Sequence, residues 1–294
     1  MRIRNYIEAD LSTMVELLNE TCKDEYEFIP YTKEKFLSEI HEGEVTILVA
    51  ENREVEGFVV LREGVHGEEL WMLCVKPGPR QKDIEDSLVS EIEREAKTDR
   101  LFVVLDSEGN RIADFMRRGY EIYGGLYQMV ARLDGLGPIP PVPRGVILRS
   151  LDINEEEALV KVVNAAYGLE RLRFGALSRW KSEDPMFTEE WVHVAELHGE
   201  IVSVVVSRTD REFNQRYGAK RGYLGPAATH PSHTRKGLAK ALTRRAMNFL
   251  FQRGMDSVSL YTTEDNVASL ALLRSLGFKM GHHWKFLRKT LPKP

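Results

Sequence analysis

Read as a pattern of apolar and polar positions, the second half of the chain alternates short strands with longer helical stretches. VILRSL (146–151) repeats every second residue like a strand. NEEEALVKVVNAAYG (154–168) opens on a capping asparagine and first-turn carboxylates and ends on glycine, which predicts a helix. A second helical region is expected over 169–181. WVHVAEL (191–197), HGEIVSVVVSR (198–208) and GYLGPAAT (222–229) predict successive antiparallel strands, turning first at His198-Gly199. After the loop THPSHTRKG (229–237), apolar Leu238, Ala241, Leu242, Ala246, Phe249 and Leu250 fall at helical spacing up to Gly254. SVSLYT (257–262), EDNVASLALLRSLGF (264–278) and HHWKFLRKT (282–290) complete the half as strand, helix and strand.

The first half repeats this order. RIRNYI (2–7) predicts a strand, and 10–22 and 32–43 two helices. VTILVAE (45–51), VEGFVVLRE (55–63) and ELWMLCV (69–75) predict three strands. A loop and helix follow over 76–96, then LFVVLD (101–106), a short helix ending at Gly119, and GGLYQMVARL (124–133). Pro77 and Pro231 lie 154 residues apart (231 − 77), and Gly119 and Gly277 lie 158 apart (277 − 119). Between the halves, GLGPIPPVPRG (135–145) has four prolines in eleven residues, the signature of an extended linker. The expectation is two copies of one α/β unit, over 1–134 and 146–294. Each is a mixed, mostly antiparallel sheet flanked by helices.

Composition narrows the function classes. A net charge of −4 over 294 residues gives no electrostatic case for nucleic acid or a membrane surface. Two cysteines make no disulfide framework, and the strongest apolar run, IVSVVV, is too short to span a bilayer, so a cytoplasmic setting is expected. The eight histidines lack partners at recognisable ligand spacing, and no metal site is expected.

The informative chemistry is the start of the helix at 238. The first turn of a helix carries the positive end of its dipole, where cations are unfavourable. Yet Arg235, Lys236 and Lys240 crowd it, and Lys236, Lys240 and Arg244 recur every fourth residue along one face. A glycine-containing turn before a helix exposes backbone N–H groups and makes an anion cradle, with Gly237 and Ala239 keeping it open. A solvated basic face is the alternative. The equivalent stretch of the first half, PRQKDIEDS, lacks the glycine and carries Asp83, Glu85 and Asp86. Those carboxylates suit the dipole directly, so only the second half is expected to bind an anion.

With these residues the second half resembles the GCN5-related N-acetyltransferases, the GNAT superfamily. HPSHTRKGLA matches the family's proline and Arg/Gln-x-x-Gly-x-Gly/Ala loop at Pro231, Gly237 and Ala239, and NVASLALLRSLGF matches its later helix at Asn266, Gly277 and Phe278. The first half is similar to a degenerate copy. The resemblance implies a tandem architecture with acetyl-CoA held by Ala228, Thr229, His230, Thr234, Arg235, Lys236, Gly237, Leu238, Ala239, Lys240 and Asn266. The acceptor implied is the amine of a small molecule or peptide. Two positions depart from the pattern. Thr234 stands in the Arg/Gln place, and Leu273 (Phe115 in the first half) stands where many members carry a tyrosine acid. Tyr223, and after it Tyr261, are the remaining candidates to act on the reacting atoms, and Glu196 could act through water. A non-catalytic acyl-CoA-binding protein is the rival reading. SRTDREFNQRYGAKRG (207–222) reads as a long basic hairpin loop that could recognise an acidic substrate.

Overall fold

The computed structural model describes residues 1–41, 43–64 and 67–292; Glu42, at the end of the expected second helix, lies outside them. Along the chain run β1 (Arg2–Asn5), α1 (Leu11–Cys22), α2 (Lys33–Ile40), β2 (Val45–Asn52), β3 (Glu54–Gly64) and β4 (Gly67–Val75). Then come α3 (Gln81–Glu95), β5 (Arg100–Asp106), α4 (Arg111–Arg117), β6 (Glu121–Arg132), β7 (Val146–Ser150) and α5 (Glu156–Tyr167). The remainder is α6 (Ala176–Glu183), β8 (Val192–Leu197), β9 (Glu200–Thr209), α7 (Arg211–Tyr217), β10 (Arg221–Thr229), α8 (Leu238–Gln252), β11 (Ser257–Thr263), α9 (Val267–Ser275) and β12 (Lys279–Thr290).

Two compact units account for the chain. The first is Met1–Leu126 with the terminal segment from His283 onward, and the second is Tyr127–His282. In the first unit β1 to β4 pair antiparallel in sequence order, and β4 pairs parallel with β5. The end of β12 then closes on β5, from Trp284↔Asp106 to Thr290↔Arg100. The second unit repeats the plan. β7, β8, β9 and β10 pair antiparallel in order, and β10 pairs parallel with β11.

The repetition extends to side chains. Arg4 holds Asp10 with both terminal nitrogens (2.7 and 2.9 Å) and Glu51 through Nε (3.0 Å). Arg149 holds Glu155 (2.7 Å from each terminal nitrogen) and Glu196 (2.8 Å) in the same way. All three positions are offset by 145 (149 − 4, 155 − 10, 196 − 51). So are the register shifts that follow Ala50 in β2 and Ala195 in β8. Each clamp ties the first strand of its unit to the helix that follows and to the second strand. Bidentate pairing of this kind fixes geometry as well as supplying attraction. It also corrects one expectation: Glu196 is committed to Arg149 and is not poised to activate water.

One extra residue in the β8–β9 turn makes the offset 146 in β9 (203 − 57), and it becomes 154 at β10 (229 − 75), where the second unit has eight additional residues. They do not form the expected loop. Asp210 to Gly218 encloses α7, with the Phe213 and Tyr217 rings, one turn apart, tilted against each other at 4.8 Å. Asn214 closes the segment by bonding both backbone groups of Arg221, at 2.7 and 2.8 Å. The expected helix over 169–181 forms only from Ala176; residues 169–175 are a loop anchored to Asn164.

Helix α8 buries Leu238, Ala241, Leu242, Ala246, Met247 and Leu250 against the sheet. It lies so close to β10 that a Cβ on Gly222 would meet Leu250 Cδ1 at 2.6 Å. Helix α5 packs on β9 and β10. No helix among the described residues is long and apolar enough to cross a membrane.

Candidate functional site

The site of the second unit begins where two strands part. The parallel pairing of β10 with β11 runs from Arg221↔Ser257 to Tyr223↔Ser259. β10 then shifts register between Leu224 and Ala227 and continues to Thr229 on its other neighbour, β9. Beyond Tyr223 the edge of β10 therefore leaves its pairing with β11.

The end of β10 is tied back to β9. Ser203 Oγ donates to the Ala228 carbonyl (3.0 Å), which leaves the Thr229 hydroxyl to donate to Ser203 (2.7 Å). A single turn follows. His230 Nδ1 accepts from the Ser232 N–H (3.3 Å), and the Thr234 hydroxyl donates to the Pro231 carbonyl (3.2 Å). Arg235 (φ +57°) and Gly237 (φ +79°) are both left-handed. Turns that pass through this region converge successive N–H groups on one concavity, a ready anion site. No side chain caps α8, so its first-turn donors have no side-chain partner. By contrast, Asn266 caps α9 by accepting from the Ser269 N–H (3.1 Å).

The cations around this turn divide into two groups. Among the described residues, Arg235 and Lys240 have no carboxylate partner. Lys236 bends over its own loop, to the Ser232 carbonyl (3.4 Å) and His233 Nδ1 (3.2 Å). Arg244 is a structural group. It donates to the Leu276 carbonyl (3.4 Å) at the end of α9, and a Cβ on Gly137 would strike its Nη1 at 2.7 Å. Leu238 is buried and Ala239 half-buried, so both offer backbone rather than side chain. The first unit shows the opposite state. Arg80, at the start of α3, is ion-paired to Glu56, and Arg118 to Asp86.

Tyr223 and Tyr261 come together at the parting of the strands, with ring centroids 6.1 Å apart. Tyr223 is half-buried, its ring lies against Gly225, and its hydroxyl makes no hydrogen bond among the described residues. Burial pushes its pKa above the usual tyrosine range, against the opposing charges of Arg208 and Arg171. Tyr261 is 44% exposed, and its hydroxyl accepts from Gln128 Nε2 (3.4 Å). Leu273 is buried core.

These observations can be set beside known proteins. Residues 162–278 match the model of the "Acetyltransferase (GNAT) family". The chain is 26% identical to a mycothiol acetyltransferase of Actinosynnema mirum over 289 residues, covering 82% of this chain and 92% of that one. Over 233 residues it is 26% identical to the mycothiol acetyltransferase of Saccharomonospora viridis, with 74% of each chain covered. The second unit carries the match to the GNAT family. The chain's fold is that of a tandem GNAT protein from the clavulanic acid biosynthesis pathway, at a TM-score of 0.70 and 16% identity, covering 100% of this chain and 99% of that one. A GCN5-related N-acetyltransferase from Sphaerobacter thermophilus aligns at 0.68 and 18% identity, over 100% and 96%. The chain thus has the fold of two GNAT-like units, and the family model falls on the second.

Sequence reading missed the wall beside Tyr223. Arg208, opposite Tyr223 in the β9–β10 register, stands over the Tyr223 ring (5.3 Å) and the Trp180 ring (5.7 Å). The signal was available in principle, because Arg208 ends the apolar run of β9 just where polarity returns.

His193 lies on β8, on the face of the sheet toward α8, and has a structural role. Ser207 Oγ donates to the Trp191 carbonyl (2.9 Å), so it must accept from His193 Nε2–H (3.0 Å). The imidazole is 1% exposed, and burial, with the Arg245 and Arg253 charges, pushes its pKa down from 6.5 to about 3. Below about pH 6.5 the unfolded chain takes up a proton that the folded chain refuses. The His193 contribution is therefore full above pH 6.5 and is lost progressively as pH falls toward 3, by about 1.4 kcal/mol per pH unit. Urea unfolding at pH 6 and pH 4.5 should show His193→Gln losing about 2 kcal/mol less than the parent over that interval. Equal slopes would show that the imidazole is not held neutral.

Proposed function

We propose that the second unit transfers an acetyl group from acetyl-CoA to a primary amine, with the first unit taking no cofactor. The observation that carries this reading is the contrast at one structural position. In the second unit a left-handed glycine turn, an uncapped helix start and unpaired Arg235 and Lys240 suit a diphosphate. In the first unit the arginine at the corresponding loop is already neutralised by Glu56. Ala228 to Lys240 would hold the cofactor chiefly through the backbone, and Asn266, as a helix cap, would contribute through the shape of the α9 entrance. Acetyl-CoA supplies an activated thioester. The chain's task is to align it with the amine, to present β10 N–H donors to the developing oxyanion, and to return a proton to the departing thiolate. Tyr223 would return that proton, and burial, which raises its pKa, supports a hydroxyl that stays protonated.

The acceptor is open at this level of likeness. Relatives named mycothiol acetyltransferase make a mycothiol-type amine one candidate to include. The test is free-thiol release from acetyl-CoA across a panel of primary amines. Acceptor-dependent release is expected. Tight CoA binding with no release above the hydrolysis background for any amine would overturn the transferase reading.

A further inference from the structure

The basic stretch between β9 and β10 looked, as sequence, like a recognition loop for acidic substrates. Its folded state reassigns most of those charges. Arg211 donates to the Glu183 carbonyl. Arg221 is paired with Asp210 at 2.8 Å and stacks on Phe213 at 3.2 Å. Arg216 lies over Tyr217. Arg208 is different. It leans toward the cleft between the Trp180 and Tyr223 rings, and the Glu183 carboxylate stands 4.0 Å away, at the outer limit of an ion pair.

A second guanidinium stands on the α5–α6 loop. Arg171 lies over the Tyr167 ring at 5.7 Å and has no carboxylate partner among the described residues. Its loop neighbour Arg173 is paired with Glu170 at 2.9 Å. Burial raises the Tyr223 pKa, and the charges of Arg208 and Arg171 oppose it. Asp210 is nearby but occupied by Arg221.

A guanidinium between aromatic faces is weakly hydrated and keeps its planar fork available for a carboxylate. We propose that the amine acceptor carries a carboxylate close to its amino group, as in an α-amino acid, and that Arg208 binds this carboxylate with Arg171 assisting at the rim. The inference rests on the transferase reading above and names its substrate class. The spacing sets the reach. Arg208 is one strand away from Tyr223, so carboxylate and reacting nitrogen are separated by only a few bonds.

The test compares α-amino acids with their carboxamides as acceptors for the full chain, followed by free-thiol release. The acids should be preferred by about 10- to 100-fold in kcat/KM, the range of a charge-assisted hydrogen bond. Arg208→Gln should bring the ratio to about one while leaving CoA affinity unchanged, and Arg208→Lys should restore part of it. Equal rates for acids and amides in the parent, or an unchanged ratio in Arg208→Gln, would overturn the inference. If no acceptor of either kind releases thiol, the transferase reading fails by itself. Calorimetry of N-acetyl-amino acids with the CoA-loaded chain then decides the binding question. Binding lost in Arg208→Gln upholds the carboxylate site, and absent or Arg208-independent binding removes it.

Discussion

Gly237→Glu should weaken acetyl-CoA binding by at least about 100-fold, measured by calorimetry, while the chain stays folded. Two physical effects act together. Gly237 sits at φ +79°, where a side chain costs roughly 1 kcal/mol. Space is not the obstacle, because an added Cβ would find only the Pro141 carbonyl, at 3.7 Å. The larger effect is electrostatic. A carboxylate here would occupy the concavity and pair with Arg235 or Lys240, reproducing the neutralised state of Arg80 and Glu56 in the first unit. Gly237→Ala separates the two effects and should lose only the strain, about fivefold. Asp83→Ala, on the first helix turn of the other unit, should leave affinity unchanged. Undiminished binding by Gly237→Glu would mean that the cradle is not the cofactor site.

The contrast between the two loops was visible in the sequence because it depends on residue types next to one another: Gly237 against Asp83, bare cations against carboxylates. The order of strands and helices was visible for a similar reason. Prolines, glycines and apolar spacing mark local structure, and they recur at matching places in both halves. What stayed hidden depends on contacts between distant segments. The Arg149 clamp joins β7, the start of α5 and β8, and no spacing rule connects residues 149, 155 and 196. The partner of β12 was hidden too. Alternation identifies a strand but not its neighbour, and only the register shows Trp284–Thr290 lying along β5. Helix α7 was obscured because one Phe213–Tyr217 pair is its whole apolar stripe. Its stability comes from Asn214 and the Asp210–Arg221 pair, which are tertiary.

The sequence already set Tyr223 before Tyr261, and the register supplies the environments of the two candidates. Tyr223 and Tyr261 were both plausible by position. The structure separates them by environment: Tyr223 has a half-buried hydroxyl without a protein partner, whereas Tyr261 is exposed and engaged with Gln128. A proton donor should be close to the departing group, protonated at the working pH, and not already committed. Tyr223 meets the last two conditions, and its position at the parting of β10 and β11 favours the first.

Tyr223→Phe should accordingly lower kcat by about 100-fold with little change in the KM for acetyl-CoA, the low end of the range for general acid catalysis. The substitution keeps the ring that packs on Gly225 and faces Arg208, so fold and cofactor cleft should survive it. The pH profile supplies a second readout. Because burial raises the Tyr223 pKa, the parent should hold its kcat through pH 9, with the loss due to tyrosine ionisation falling above the ordinary value of 10. Tyr223→Phe should lack that alkaline loss. Tyr261→Phe should cost far less, about threefold, as expected for a neighbour that only shapes the site. A Tyr223→Phe enzyme within threefold of the parent, beside a Tyr261→Phe enzyme that is nearly inactive, would exchange the two roles. If neither substitution matters, the thiolate takes its proton from water, and the cleft works by alignment and backbone donors alone.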